Sequence, residues 1–497
     1  MAELMNSLRF FLPETILIAG LLLLIVADLL LLKVQCRRRL LAAAITLVTL
    51  VVAGVVCALA PVQMSGGAPV FDSMIAVDAF ARYFKLLFVT AAAIMTLSGY
   101  VSLEVEPPRS TEFFTLLLAM TLGMFLLAGA NTILMIFLAM EFVSITSYLL
   151  TAFKRSDRKS AEAALKYVLY GATASGVMLF GFSYLYGLTG SLELGEIGRS
   201  ISARFADGVA PQEKLMLSIA AIMVLTGFAY KVAAMPFHMW CPDVYEGAPT
   251  PVAALLSVGP KAAGFAALMR FCGTVFGSSG EPWAQLLAIV AVATMTLGNL
   301  SAIGQNNVKR LLAYSSIAHA GYMLLAVAVF SADGVAAVMF YLGIYLLMNL
   351  GAFVVVMAVR DSSGGREDID AYRGLGQRNS LLAVALTVFL LSLVGLPPFG
   401  GFIGKFYVFV ALLSKASLWF YVLAIVAALN SAISLYYYAR IIRAMFLTAS
   451  EASASERLSV TRIQGGLAFV LALAVVVLGL YWVPLRTCVE HSALLLR

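Results

Sequence analysis

Residues 226–240 read TGFAYKVAAMPFHMW. They close an apolar run of the length needed to cross a bilayer, about 20 residues. Yet Lys231 interrupts that run with a charge, and Pro236 interrupts it with a helix breaker. A span with both a charge and a break is more than an anchor in lipid, and the rest of the chain decides what more it is.

Composition places the whole chain in a membrane. Of 497 residues, 62% are hydrophobic and 12% charged, with a mean hydropathy of +0.97. Soluble domains are about 45–50% apolar and about 25% charged. The N-terminal run FFLPETILIAGLLLLIVADLLLLKV has no small-residue cleavage site and is too long for a signal peptide, so it reads as a first transmembrane helix.

Further spans of that length fall near 38–61, 75–100, 113–129, 131–153, 162–188, 213–235, 250–276, 284–303, 310–330, 334–359, 380–413, 418–447 and 463–484, after a first near 12–33. The chain is therefore expected to be an all-α polytopic membrane protein of about fourteen transmembrane helices. The tightest joint, AGAN at 128–131, reads as a turn between the fourth and fifth.

Charge sets the orientation. With the N-terminus outside, 19 Lys and Arg fall on the inner side, mainly at 33–39, 154–159, 309–310, 360–378 and 440–462, and 7 on the outer side. The excess of basic residues on cytoplasmic loops supports an even helix number with both termini on the periplasmic side of a bacterial inner membrane. The net charge of +7 then reflects topology and points to no nucleic-acid partner. The five cysteines show no CxxC spacing, the three histidines are scattered, and neither a GxGxxG turn nor a phosphate-binding P-loop is present. No cofactor or metal is expected on this chain.

The remaining basic residues lie within spans. A charge at the bilayer centre costs about 2.5–3.5 kcal/mol, so each needs a partner, water or a purpose. Arg82, Lys85 and Arg270 lie near the outer face, where their stems could carry the charge to the headgroups. Lys166 lies nearer the inner end of its helix, where the same reading competes with a functional one. Glu141 in ILMIFLAMEFVSITSYLL, Lys261 after Pro260, and Lys405 in LVGLPPFGGFIGKFYVFVALL are too deep for either surface. A static ion pair that only locks helices together is the alternative for them.

The breaks sharpen the argument. Pro236 removes a backbone hydrogen bond and leaves the carbonyl of Val232 free. Pro397 and Pro398, with Gly400, Gly401 and Gly404, should break the twelfth span outright. Non-helical backbone at membrane depth is tolerated only where protein or a water-filled cavity covers it. Spans 7 and 12 lie five apart, and each has a lysine beside its break. Five crossings reverse orientation, so the spacing suggests two inverted five-helix repeats, 113–276 and 284–447. Three N-terminal helices (1–112) would precede them and a C-terminal helix (463–497) would follow.

Proton transfer suits these residues. Apolar surroundings disfavour the charged form of a lysine and a nearby carboxylate favours it, so a Glu141–Lys231 pair would hold a proton that weakening of the pair releases. Arginine would not serve, because it stays protonated. His238 and His319 are possible relays, though a lone histidine near a helix end is more often a satisfied structural residue.

The stretch KVAAMPFHMWCPDVYEGAPTPVAALLSVGPKAAGF at 231–265 resembles the signature of the antiporter-like subunits of respiratory complex I, which also resemble subunits of Mrp-type sodium/proton antiporters. RNSLLAVALTVFLLSLVGLPPFGGFIGKFYVF extends the resemblance, which covers essentially the whole chain. The PDVYEGAPTPV form is similar to one branch of that family; sister subunits L and M tend to have a histidine-bearing form. The resemblance implies fourteen core helices with inverted repeats. It also implies that Glu141 and Lys231 form a pair, Lys261 a central relay and Lys405 a terminal site, with Lys166 an additional lysine. It further implies a non-redox, proton-translocating subunit of NADH-quinone oxidoreductase, driven by quinone reduction elsewhere. Flavin (FMN), iron–sulfur clusters and quinone would sit on other subunits, and the partners would be membrane-arm subunits, including subunit M and the small membrane subunits. An Mrp-type cation/proton antiporter subunit is the alternative.

Overall fold

The computed structural model describes residues 7–30, 35–60, 70–207, 211–277, 281–448, 458 and 460–493. Lys33, Arg457 and Arg497 of the charge pattern lie outside them, as do the ends of the first two spans and of the C-terminal segment.

Twelve described helices are long and apolar enough to cross a membrane. In chain order they are α1 (Leu12–Leu30), α2 (Gln35–Leu59), α3 (Ala79–Val101), α4 (Ser110–Gly129), α5 (Ile133–Thr151), α6 (Arg158–Thr189), α7 (Pro211–Val232), α8 (Thr250–Phe271), α9 (Glu281–Ile303), α11 (Ala332–Ser362), α13 (Leu418–Leu447) and α14 (Arg462–Leu480). Between α9 and α11, α10 (Val308–Val327) is as long but more polar. Between α11 and α13, Ser380–Val394 and Gly400–Leu413 form the two halves of a broken α12. Backbone pairing of the strand type is confined to isolated bridges among the described residues.

The ends of these helices follow local chemistry. Asp78, Thr132, Asp157, Asn307, Ser331 and Asn379 each accept a backbone N–H in the first turn of the helix they precede. Such caps satisfy donors that a helix start leaves free. Thr461 and Gln464 complete a reciprocal capping box at α14. Gly190 and Gly395 end α6 and the first half of α12 in the left-handed conformation, with φ of 72° and 87°.

Burial sorts the helices into layers. Every residue of α8 is buried, and the helix packs against α3, α4, α5, α7, α10 and α11. It keeps its helical course through Pro260. α11 is nearly as enclosed, touching both halves of α12 and α14. α1 and α13 lie at the periphery, and their outward leucines and isoleucines (Leu22, Leu23, Leu29, Ile425, Leu429) face the surroundings. In a bilayer such an apolar exterior meets lipid. Short helices escape a search for apolar runs, among them the amphipathic helix Leu194–Asp207 between α6 and α7.

Candidate functional site

α7 ends at Val232. Residues 233–239 are non-helical, and a short helix, Trp240–Gly247, follows before α8. α12 stops at Val394 and restarts at Gly400. Both gaps contain a cis X–Pro bond, Met235–Pro236 and Pro397–Pro398. Lys231 sits just before the first gap and Lys405 just after the second, and both are buried.

Glu141, on α5, is half-buried, and its Oε1 lacks a hydrogen-bond partner. One turn later Ser144 accepts a hydrogen bond from Lys231 Nζ at 2.9 Å. Among the described residues no contact ion pair joins Glu141 to Lys231. The carboxylate lies within electrostatic reach of the lysine, while the serine hydroxyl takes the contact. In place of the direct pair expected from sequence, Lys231 contacts Ser144, whose hydroxyl donates to the carbonyl of Met140. Lys231 fits because Gly264 of α8 has no side chain: a Cβ there would lie 3.0 Å from Lys231 Cγ.

Lys261, on α8, donates to Ser316 Oγ of α10 at 2.6 Å and lies 5.6 Å from the ring centre of Tyr245. His238, in the first gap, is buried within electrostatic reach of Lys261, and its Nδ1 has no partner. His319, one turn beyond Ser315 and Ser316 on α10, contacts Tyr341 Oη at 2.6 Å and Tyr438 Oη at 3.4 Å. It stands within the field of both Lys261 and Lys405. Lys405 Nζ donates to Ser431 Oγ and to the carbonyl of Val394, each at 2.8 Å, and lies 4.5 Å from the ring centre of Tyr322. Val394 is the last residue before the second gap, so the break itself supplies the carbonyl that holds the lysine.

Glu141, Ser144, Lys231, Lys261, Ser316, His319 and Lys405 thus form a row of polar groups on α5, α7, α8, α10 and α12, all but Glu141 buried. Lys166 is elsewhere. It pairs with Asp243 at 2.7 Å and Glu162 at 2.9 Å in a charged cluster that Arg310 and Glu246 complete. Burial alone would raise the Asp243 carboxyl, but hydrogen bonds and charge from Lys166 and Arg310 outweigh it and hold the carboxyl below its usual range. Beside this cluster Glu104 is almost fully buried. It meets Lys154 and Arg360 and accepts the N–H of Thr250 at the start of α8. Burial opposes its ionisation, yet Lys309, Lys154 and Arg360 together bring its carboxyl down to about 2.

Two basic residues assigned above to the lipid headgroups are buried instead. Lys85 contacts Glu14 at 2.6 Å, and Arg270 contacts Asp78 at 2.7 Å. Their partners lie on α1 and at the start of α3, far apart in sequence, so no local pattern announced them. The tyrosines of the row were also missed. Tyr341 and Tyr345 one turn apart on α11, and the YYY run at 436–438 on α13, were the available signal in so apolar a chain.

Residues 130–433 match the family described as NADH:quinone oxidoreductase/Mrp antiporter, transmembrane. NADH-quinone oxidoreductase subunit N 2 of Sorangium cellulosum is 48% identical, over 99% of this chain and 98% of that protein. Among solved structures, a chain of respiratory complex I from Thermus thermophilus matches with a TM-score of 0.77 and 32% identity, over 96% of this chain and 98% of that one. A chain of the Mrp complex from Dietzia matches with a TM-score of 0.81 over 98% of this chain and 97% of that one, at 21% identity, a likeness of fold.

Proposed function

Since this chain belongs to the NADH:quinone oxidoreductase/Mrp antiporter family, and aligns end to end with subunit N of NADH-quinone oxidoreductase, we propose that it is a proton-translocating membrane subunit of that enzyme. Protons move along the buried row from Glu141 through Lys231 and Lys261 to Lys405, driven by quinone reduction on other subunits. FMN, iron–sulfur clusters and quinone belong to those subunits, and membrane-arm neighbours, including subunit M, are its partners.

One observation carries this reading. The three buried lysines of the row contact serine hydroxyls, a backbone carbonyl and tyrosine rings, with no carboxylate in contact. A lysine kept only to lock helices would be matched by a contacting carboxylate, because an unpaired buried charge is costly. Neutral polar contacts accept either protonation state of the amine, as a carrier requires. His319 bridges Lys261 to Lys405 through neutral Tyr–His contacts. His238, with a free ring nitrogen beside Lys261, is the proton's way in from the first gap, and Lys166 serves the inner-side cluster. The breaks at Pro236, Pro397 and Pro398 expose the row to water from opposite sides.

The same geometry supports two inverted repeats, 113–276 and 284–447. In the first, the α7 lysine reaches a serine on α5; in the second, the α12 lysine faces a tyrosine on α10. The orientation with both termini outside, in a bacterial inner membrane, follows from the basic inner loops.

Lys405→Met and Lys405→Arg in the assembled enzyme test the function. Both are expected to leave assembly intact and to remove most quinone-coupled proton uptake by proteoliposomes, the arginine because it does not release its proton. Normal pumping by Lys405→Arg would sink the relay. Isolation of the chain in an assembly free of flavin and iron–sulfur subunits would favour the Mrp-type antiporter instead.

A further inference from the structure

A second polar network, which the proton path above does not use, joins α9 to α13. Asn299 of α9 and Asn430 of α13 are both buried. Asn299 Nδ2 donates to the backbone carbonyl and to Oδ1 of Asn430, each at 3.1 Å. A backbone carbonyl only accepts, so the nitrogen of the Asn299 amide faces it and the oxygen faces the other way. That oxygen accepts from Tyr437 Oη at 3.0 Å. Asn430 is fixed in turn: its Nδ2 donates to Thr296 Oγ1 and to the carbonyl of Val426, each at 3.1 Å.

The network runs on to His319. Tyr437 packs against Tyr438, with ring centres 4.4 Å apart and hydroxyls within reach of each other. Tyr438 Oη meets Ser315 Oγ and His319 Nε2. On the other side of the ring, His319 Nδ1 contacts Tyr341 Oη at 2.6 Å, the one hydrogen bond of that hydroxyl among the described residues. A buried hydroxyl that failed to donate would leave its proton unsatisfied, at a cost of about 1–3 kcal/mol. Tyr341 therefore donates to Nδ1, and the neutral imidazole carries its own proton on Nε2, aimed at Tyr438. Tyr437 directs its proton to Asn299, so its oxygen is open to the Tyr438 hydroxyl. The donors thus follow one direction, from Tyr341 through His319, Tyr438 and Tyr437 to Asn299 and the Asn430 carbonyl. Tyr322 of α10 and Tyr345 of α11 are the other titratable groups against the ring, and Lys261 and Lys405 act on it from farther off.

We propose that Asn299 is the closed end of this chain: it holds His319 as the Nε2–H tautomer and bars a proton on His319 from escaping toward α9 and α13. The proposal rests on His319 belonging to the translocating row. A proton arriving at His319 forms an N–H bond at Nδ1, and the Tyr341 hydroxyl turns to accept it. To leave through Nε2, it would have to displace a proton from Tyr438 to Tyr437 and from Tyr437 to Asn299. The Asn299 amide oxygen accepts a hydrogen bond but takes no proton, so that way is shut. The proton leaves on the Tyr341 side, where the ring packs over Gly404, the residue before Lys405; a Cβ on Gly404 would lie 2.7 Å from Tyr341 Cδ2.

Infrared spectra of the assembled enzyme with isotope-labelled histidine test this, because imidazole ring stretches differ between the two neutral tautomers. The wild-type band that disappears in His319→Gln is expected to be that of the Nε2–H form. The Nδ1–H form would overturn the proposal, and this measurement needs no Asn299 variant to fold. Asn299→Asp keeps the shape of the side chain and puts a proton acceptor at the closed end. It is expected to show a new carboxylic acid band during quinone reduction and to lower coupled proton uptake by proteoliposomes several-fold. Loss of uptake alone would follow from any packing defect, so absence of the new band overturns the proposal whatever the uptake. Full uptake by His319→Gln would remove His319 from the row. That failure of the functional reading is told apart from a failure at Asn299, because the tautomer is read without reference to pumping.

Discussion

At Gly171 on α6, an added Cβ would fall 1.8 Å from Tyr148 Oη and 2.7 Å from Tyr230 Oη. The two hydroxyls sit at the ends of rigid rings: that of Tyr148 meets Tyr167 edge-on, and that of Tyr230 lies tilted against Tyr167 and Trp240, which stack on each other. They cannot retreat without disturbing the residues beside Lys231. Gly171→Ala is therefore expected to cost about 1–3 kcal/mol, the range for overpacking a close-packed interior. Thermal unfolding in detergent would read it, together with slower proton uptake. Glu104 makes a different residue-scale prediction. Its carboxyl is held at about 2, against an ordinary value of 4.5. A depressed carboxyl contributes stability that is fully present above the ordinary value and is lost as pH falls through the folded one. The stability gap between wild type and Glu104→Gln should be constant above pH ~4.5 and close as pH falls toward about 2. A gap that persisted at the acid end would show that hydrogen-bond geometry, and not ionisation, sets the effect.

The short helix Trp240–Gly247 is the element on which the first gap turns. Its Asp243 is held by Lys166 of α6 and Arg310 of α10, its Glu246 by Arg310 and Lys159. Just beyond it, the carbonyl of Ala248 accepts from Lys309, and Glu104 caps the α8 N-terminus at Thr250. Arg310 thus ties an element of the first half to a helix of the second. Arg310→Ala is expected to speed amide hydrogen exchange in 240–247 a few-fold, since partly exposed pairs contribute about 1 kcal/mol or less each. Exchange in α8, buried throughout, should not change. Among the described residues the second gap has no comparable charged clasp; its geometry rests on Gly395, where φ is +87° and a Cβ would lie 2.8 Å from Lys405 Cδ.

For the whole molecule the organising fact is the enclosure of α8. It bears Lys261 at its middle, Arg270 toward its C-terminal end and the Glu104 contact at its N-terminal end, so it joins the row to both ends of the bundle. The end at the α8 N-terminus gathers the charged clusters; the opposite end holds Glu14, Asp78 and the C-terminal helix Val483–Ala493. That asymmetry predicts sidedness. Ser156→Cys, in the basic α5–α6 loop, should react with an impermeant maleimide from the inner side alone, and Cys488 from the outer side alone. The opposite pattern would invert the orientation and with it the direction of pumping.

Membrane class, helix positions and the two interruptions were legible in the sequence, because each depends on local composition: apolar run length, and proline or glycine at a given residue. The positions of Glu141, Lys231, Lys261 and Lys405 along their helices were legible for the same reason, since they follow from the count of residues from each helix end. Contacts were not. Ser144 at Lys231, the tyrosines around His319, and the Val394 carbonyl at Lys405 depend on which helix faces show to each other. Glu14 for Lys85 and Asp78 for Arg270 depend on the packing of helices far apart in the chain. A helix displays its polar residues in every direction a sequence allows, and only the packing of its neighbours chooses which of them meet.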